Sequence, residues 1–348
     1  MAVKVVQVLA GRAQGGAELF YERLVIGLDA FVPQVAVVRP EGDRAEKLER
    51  AGVPTYRARF AARWIDRVTA RRIKQVMKVH DAPLAITWMS RATQHTRPGP
   101  YQIAARLGGF YPMRNFRHCD HFIAITQGIA DHIAGSGVAR DRIHVIGNFI
   151  DETNVPPVPR AAHGTPEDVP LVFTCGRLHV NKGFDVFLNA LAALPRVHAW
   201  IAGDGPLRDE LQSQATRLGL ADRVTFLGWQ SSVNGYLQTA DIFVCPSRHE
   251  PHGSIVLEAW AHRCPILATD THGPRELIEP DVTGVLCKNE NAASMAAGMR
   301  RMLNDEVLLE NLAGAAAEDY QRRFASAHIL ARYREFITTV LKSGAGPS

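Results

Sequence analysis

Leu171-Val172-Phe173-Thr174-Cys175-Gly176-Arg177-Leu178-His179-Val180-Asn181-Lys182-Gly183-Phe184 is the stretch on which the fold can be read. Leu171–Cys175 is short, apolar and β-branched or aromatic in part, which predicts a buried strand. Two glycines bound the next eight residues as a loop, and the apolar period from Phe184 to Leu194 predicts a helix. Strand, glycine loop and helix make the repeating unit of a helix-covered parallel sheet. In that loop an Arg and a Lys stand five apart, so they can converge on one anion backed by a helix N-terminus. A diphosphate suits the arrangement; alone, the segment also reads as a loop with two solvated cations.

The same alternation extends in both directions. Downstream, strands are expected at Val197–Ala202, Val224–Leu227, Ile242–Cys245 and Pro265–Ala268, with helices at Leu207–Leu218, Val233–Thr239 and Ser254–Ala261, and only helix after Asn291. Upstream, Asp151 to Pro170 holds Pro156, Pro157, Pro159, Pro166 and Pro170 and reads as an interdomain linker. Before it, strand-like runs recur at Val3–Leu9, Val35–Val38, Leu84–Trp88, His121–Ile125 and Arg142–Ile146. Two doubly wound α/β domains follow, consistent with 348 residues. Such domains bind ligands outside the carboxyl ends of their strands, and two of them can share one cleft.

Composition narrows the function classes. At 46% hydrophobic and 22% charged the chain is globular in character. No apolar run approaches the roughly 20 residues of a membrane-spanning helix. The start lacks a small-residue cleavage site, so no signal peptide is expected. Five scattered cysteines predict reduced thiols and a cytoplasmic setting. His118-Cys119-Asp120-His121 does not suit a metal, because neighbours alternate sides on entering a strand, and no Asp-x-Asp triplet occurs. The net charge of +5 is uneven: residues 1–150 hold 22 basic and 12 acidic side chains, leaving 18 and 23 for the remainder. An anionic partner for the first half is implied.

A second candidate site is Glu250-Pro251-His252-Gly253-Ser254-Ile255-Val256-Leu257-Glu258, after the Ile242–Cys245 strand. Ser254 is expected to cap the following helix, with the N–H groups of Ile255 and Val256 facing an anion. Gly253 permits close approach of a ligand, and Glu258, one turn into the helix, could accept two ribose hydroxyls. A glycosidase pair is disfavoured: eight helical residues span about 12 Å, against about 5 Å for a retaining pair. A capping carboxylate plus a surface glutamate is the other reading. Gly15-Gly16-Ala17-Glu18 follows the first strand; it lies against a ligand or makes a plain turn, and it is not a dinucleotide fingerprint.

Together these residues resemble the retaining family 4 glycosyltransferases of GT-B fold. Gly176-Arg177…Lys182-Gly183 is similar to the family's G-R-x(4)-K-G diphosphate motif, Gly203-Asp204-Gly205-Pro206 to its A-G-x-G-P turn, and Glu250 and Glu258 to its E-x(7)-E pair. Val224–Gly228, Gly273-Pro274-Arg275-Glu276, Gly284-Val285-Leu286, Gly15–Glu18 and Ala124-Ile125-Thr126 fit as well. The resemblance implies an α/β GT-B fold, with two Rossmann-like doubly wound domains facing a deep interdomain cleft. It implies an acceptor domain over 1–155, a donor domain over 156–325, and a final helix in 326–348 crossing back to the first domain.

It also implies roles. Arg177, Lys182 and Glu250 are the expected catalytic set: the cations hold the donor diphosphate and Glu250 touches the sugar hydroxyls. Gly15, Gly16, Gly176, Gly253, Ser254, Ile255, Val256 and Glu258 are expected to bind the donor, Glu258 through the ribose. No metal and no cofactor are expected, the nucleotide-diphospho sugar (GDP- or UDP-linked) being a substrate. The partner is a glycan or glycolipid acceptor, and a hexose moves with retention and without a protein nucleophile. The histidine that family members place after a middle strand is missing at Arg106-Leu107-Gly108-Gly109-Phe110, which leaves His95 and His252 as open candidates. The segments Arg106–Tyr111, His118–His121 and Glu250…Trp260 are similar to bacterial members building lipopolysaccharide core or related surface glycans. A sugar-nucleotide epimerase or hydrolase, or a non-catalytic binding protein retaining the fold, are the rival readings.

The Arg57–Lys78 region carries Arg57, Arg59, Arg63, Arg67, Arg71, Arg72, Lys74 and Lys78 against Asp66 alone. If helical throughout, it sets Arg59, Arg63, Arg67 and Arg71 on one face opposite an apolar side with Trp64 and Ile65. Such a helix would seat the protein on the inner face of the cytoplasmic membrane. A helix whose apolar stripe is core is the alternative. No nucleic-acid module accompanies the charge.

Overall fold

In the computed structural model, which describes residues 4–11, 15–61 and 66–344, the chain forms two compact units. Unit 1 is Met1–Phe149 with Ser326–Ser348, and unit 2 is Ile150–Ala325. The first runs β1 (Val5–Leu9), α1 (Gly16–Asp29), β2 (Gln34–Val38), α2 (Arg44–Arg50), β3 (Thr55–Arg57), α3 (Arg67–Val79), β4 (Leu84–Trp88), α4 (Met89–His95), β5 (Gln102–Leu107), β6 (His121–Ala124), α5 (Gln127–Gly135) and β7 (Ile143–Val145). Its seven parallel strands are ordered β3-β2-β1-β4-β5-β6-β7. Every residue of β1, β2 and β4 is buried, as expected where helices cover both sheet faces.

Unit 2 runs β8 (Leu171–Cys175), α6 (Phe184–Ala192), β9 (His198–Ala202), α7 (Arg208–Arg217), β10 (Val224–Gly228), α8 (Asn234–Thr239), β11 (Ile242–Cys245), α9 (Ser254–Ala261), β12 (Ile266–Thr269), α10 (His272–Leu277), β13 (Val285–Cys287), α11 (Ala292–Leu303) and α12 (Glu306–Arg323). Its parallel sheet is ordered β10-β9-β8-β11-β12-β13, a doubly wound order that reverses between β8 and β11. The last helix, α13 (Ser326–Gly344), packs in unit 1, where Ile329, Tyr333, Phe336, Ile337 and Val340 join the β1–α1 core.

Several expectations change. β5 and β3 are not apparent as apolar runs, because Gln102-Ile103-Ala104-Ala105-Arg106-Leu107 carries a buried arginine and β3 ends on Arg57. The proline-rich stretch, expected as an interdomain linker, starts at the boundary between the units and is packed within unit 2. Val158 donates its N–H to the Gly235 carbonyl at 3.1 Å. Thr239 Oγ1 donates to the Val158 carbonyl at 2.7 Å, Asn234 Nδ2 to the Thr153 carbonyl at 3.0 Å, and Arg160 pairs with Asp241 at 2.9 Å. Proline keeps this segment extended, and side chains of α8 and its neighbours satisfy the carbonyls that no strand pairs.

The basic region is not one helix. Arg57 ends β3, α3 begins only at Arg67 with Asp66 as its cap, and Arg63, Trp64 and Ile65 lie outside the described residues. Arg59 and Arg71 therefore do not share a helical stripe. The apolar side of α3, Ile73, Val76 and Met77, is core, leaving Arg67, Arg71, Arg72, Lys74 and Lys78 outward. The charge asymmetry sharpens once the last helix is counted with unit 1: that unit holds 25 basic and 13 acidic residues, and unit 2 holds 15 and 22. Among the described residues, no helix is long and apolar enough to cross a membrane.

Candidate functional site

β8 and β11 flank the reversal point of the second sheet, and the two sequence motifs are the loops that leave their carboxyl ends. Their pairing runs through Ile242↔Val172 and Phe243↔Phe173 and stops two residues short of each strand end. No ladder pair joins the two strands beyond that point, which is the switch-point position where doubly wound sheets have their ligand crevice.

The loops are then fastened to each other. The Asn181 carbonyl accepts from the backbone N–H groups of Arg248 (2.9 Å) and His249 (3.2 Å). The Arg248 guanidinium grips Asp185 in the first turn of α6 with two bonds, at 2.7 and 2.6 Å, and also reaches the Val180 carbonyl and Glu290, each at 2.9 Å. The bonds to Asp185 raise the Arg248 pKa, and Arg248 lowers that of Asp185. Gly183 has φ +65, and a side chain on it would put Cβ 2.1 Å from the Pro246 carbonyl oxygen. Neither Arg248 nor Asp185 stood out in the sequence; the available signals were an arginine just past a strand end and an acid in a helix's first turn.

Across this seam Lys182 Nζ lies 2.6 Å from Glu250 Oε2, and Glu250 Oε1 accepts the Gly253 N–H at 3.2 Å. Burial by itself would raise the Glu250 carboxyl and lower the Lys182 ammonium. The pair reverses both, so Glu250 sits below its usual range and Lys182 above it. Both groups are thus held charged beside the crevice. Arg177 is exposed in the same loop and has no ion-pair or hydrogen-bond partner among the described residues.

At the head of α9 the cap is Gly253, with φ +78, and Ser254 is the first helical residue rather than the cap. A left-handed cap suits glycine, whereas serine would need extended geometry to cap. The Val256 N–H donates to the Gly253 carbonyl at 2.8 Å, so it is already engaged; the amides of Ser254 and Ile255 precede it at the helix mouth. The Ser254 hydroxyl instead lies 2.8 Å from Nδ1 of the buried His252. Glu258 is half-buried on α9, near the end of β8: burial and then the Glu258 carboxylate raise the Cys175 thiol well above its usual value.

Gly203-Asp204-Gly205 supports Gly176–Leu178 from behind. The Gly176 N–H donates to the Ala202 carbonyl (2.9 Å) and the Leu178 N–H to the Asp204 carbonyl (2.9 Å). A Cβ on Gly203 would stand 1.9 Å from the Gly176 oxygen.

Gly15 and Gly16 belong to unit 1, where Gly15 caps α1 and the space beside Gly16 Cα is open to 4 Å. The two open histidine candidates are both buried. His95 is 2% exposed, with Nε2 3.1 Å from the Ala61 carbonyl and its ring edge-on to Phe60; burial lowers its pKa. Arg106, where a family histidine is common nearby, is 1% exposed, its guanidinium carbon 4.2 Å from the Trp88 ring centre, and it bonds Asn148 and Tyr333. It ties the chain leaving unit 1 to the helix that returns to it.

Known proteins match this chain over most of its length. Residues 14–154 match the model of glycosyltransferase family 4, and residues 158–319 that of glycosyl transferases group 1. The lipopolysaccharide core biosynthesis glycosyltransferase LpsE of Rhizobium meliloti is 33% identical over 93% of this chain and 96% of its own. LpsD of the same organism is 30% identical over 95% and 97%. Among solved structures, Anabaena HepE in complex with UDP and glucose is similar in fold, with TM-score 0.85 and 21% identity over 97% of this chain and all of its own (100%). Two doubly wound sheets, with family models matching over both halves of the chain, establish that this protein belongs to the family 4 glycosyltransferases of GT-B fold.

Proposed function

We propose that the protein transfers a hexose from a UDP- or GDP-sugar to a glycan or glycolipid acceptor, with retention and without a metal, in lipopolysaccharide core assembly. The pathway follows the two full-length relatives, both core biosynthesis glycosyltransferases. The observation that carries the chemistry is the Lys182–Glu250 pair beside the crevice between β8 and β11. In this reading unit 2 binds the donor and unit 1 the acceptor. Lys182 and Arg177 stabilise the charge that grows on the departing diphosphate, joined by the amides of Ser254 and Ile255. Glu250 positions Lys182 and accepts from sugar hydroxyls, while Glu258 holds the ribose. Gly16 leaves the backbone at the head of α1 open to a ligand. The leaving phosphate oxygen takes the acceptor's proton on the same face, so the protein contributes positioning and electrostatics rather than a nucleophile.

The outward cations of α3 give the protein a charge-only attraction to an anionic cytoplasmic membrane face. A thermal-shift panel of UDP-, GDP- and ADP-sugars tests the donor assignment, since a ligand that binds the folded state raises its apparent stability. Turnover that requires a glycan acceptor separates transfer from hydrolysis; donor turnover at the same rate without acceptor overturns the proposal.

A further inference from the structure

Residues 57–61, at the edge of the first sheet, are held by bonds from several side chains. Phe60 has φ +49, a left-handed backbone that a bulky residue adopts only under constraint. Arg39, 1% exposed, reaches under the segment and donates to the carbonyls of Ala10, Arg59 and Phe60. Thr69 Oγ1 accepts the Phe60 N–H at 3.2 Å, and Asp66 Oδ2 accepts the Ala61 N–H at 2.8 Å. His95 closes the arrangement on the Ala61 carbonyl.

The outward product of this clamp is Arg59, beside a cavity of about 620 Å³ that Arg57, Ala58, Val68 and Arg72 also line. The volume lies within the roughly 300–1,000 Å³ of small-ligand sites. Its charges do not balance internally. Arg57 is matched by both oxygens of Glu49, at 2.6 and 3.1 Å. Asp66 is engaged in capping α3, accepting from the N–H and hydroxyl of Thr69 at 2.9 and 2.6 Å. Arg72 lies over the Tyr56 ring at 5.3 Å. Arg59 and Arg72 have no carboxylate partner among the described residues. They border a concave space whose other walls include Ala58 and Val68.

We propose that this cavity binds an anionic group, a phosphate monoester or a carboxylate, carried by the carbohydrate acceptor. The proposal rests on unit 1 being the acceptor side. Rigid backbone beneath Arg59 lowers the ordering cost of holding an anion, and guanidinium forks suit both phosphate and carboxylate. A membrane surface is the weaker occupant, because the site is concave and Ile73, Val76 and Met77 of α3 are spent in the core.

Isothermal titration of the full chain at low ionic strength with glucose 6-phosphate, glucuronate and glucose tests this, with UDP and GDP titrated in parallel. At least one anionic sugar is expected to bind and glucose not. Arg59→Ala with Arg72→Ala should weaken that binding about tenfold or more, as loss of charge-assisted bonds implies. The double lysine variant should recover part of it, with nucleotide binding and melting temperature unchanged throughout. Equal binding by the wild type and the double alanine variant, or no sugar binding while nucleotide binds, overturns the proposal. So does a double variant that loses only binding to phosphatidylglycerol vesicles. A wild type that binds no nucleotide overturns the functional reading as well.

Discussion

Lys182 and Glu250, 68 residues apart, meet at 2.6 Å where the second sheet reverses its strand order. The ammonium is aligned and held charged by a carboxylate that the same loop system buries. On the proposed donor assignment, a diphosphate arriving there would meet a cation already positioned, with little reorganisation needed.

Lys182→Ala should therefore lower kcat/KM by about 10²–10³, the loss typical of one placed charge-stabilising group. It should also destabilise the fold by about 1–3 kcal/mol, since Glu250 stays mostly buried without its partner while Lys182 itself is 31% exposed. Steady-state kinetics and urea midpoints measure the two effects. Unchanged kcat/KM would remove Lys182 from the chemistry.

Stability should depend on pH through the same pair. Glu250 titrates below its ordinary 4.5 in the folded state, so its contribution is complete above that value and is lost as pH falls through the depressed one. Lys182 titrates above its ordinary 10.5, so its contribution is complete below 10.5 and is lost as pH rises through the elevated value. Glu250→Gln should flatten the acid limb of a melting-temperature profile. An acid limb as steep as the wild type's would assign that loss to other carboxylates.

Two glycines separate support from contact. Gly203→Ala forces a Cβ toward the Gly176 carbonyl at φ +137 and should cost about 2–4 kcal/mol, read by chemical unfolding. Gly16→Ala meets nothing within 4 Å and should leave stability unchanged or raise it by about 0.5–1 kcal/mol, while lowering turnover. Full activity in Gly16→Ala would mean that no ligand approaches that backbone.

Arg248→Ala should loosen the seam between the two loops without removing a ligand contact. Asp185 is 41% exposed, so the expected destabilisation is modest, about 1–2 kcal/mol. Donor affinity should fall with it, because the Asn181 and Glu250 loops lose their common anchor. Titration calorimetry against UDP and GDP checks this.

Much of the fold was legible because parallel strands buried on both faces read as apolar runs, as β1, β4, β8 and β11 do. β5 escaped because Arg106 interrupts it, and that arginine is tolerable in the core only with Trp88, Asn148 and Tyr333 around it. The proline-rich stretch after Asp151 reads only as a linker for a related reason. Composition marks extended chain but does not say what the extended chain packs against, here α8 and Asp241. The amphipathic pattern of α3 was visible, yet periodicity alone does not distinguish a core-facing stripe from a membrane-facing one.

The sequence by itself determined the alternation of strand and helix, the loops that carry Arg177, Lys182, Glu250 and Glu258, and membership in the family 4 glycosyltransferases. These are local properties, set by hydrophobic period, glycine placement and motif spacing along the chain. Tertiary structure decided that β8 and β11 are neighbours, that Lys182 therefore closes on Glu250, and that Arg248 binds the two loops together. It also decided that the outward charge of unit 1 frames a cavity. Strand order and charge pairing depend on contacts between residues tens of positions apart, and no local pattern encodes which pairs will meet.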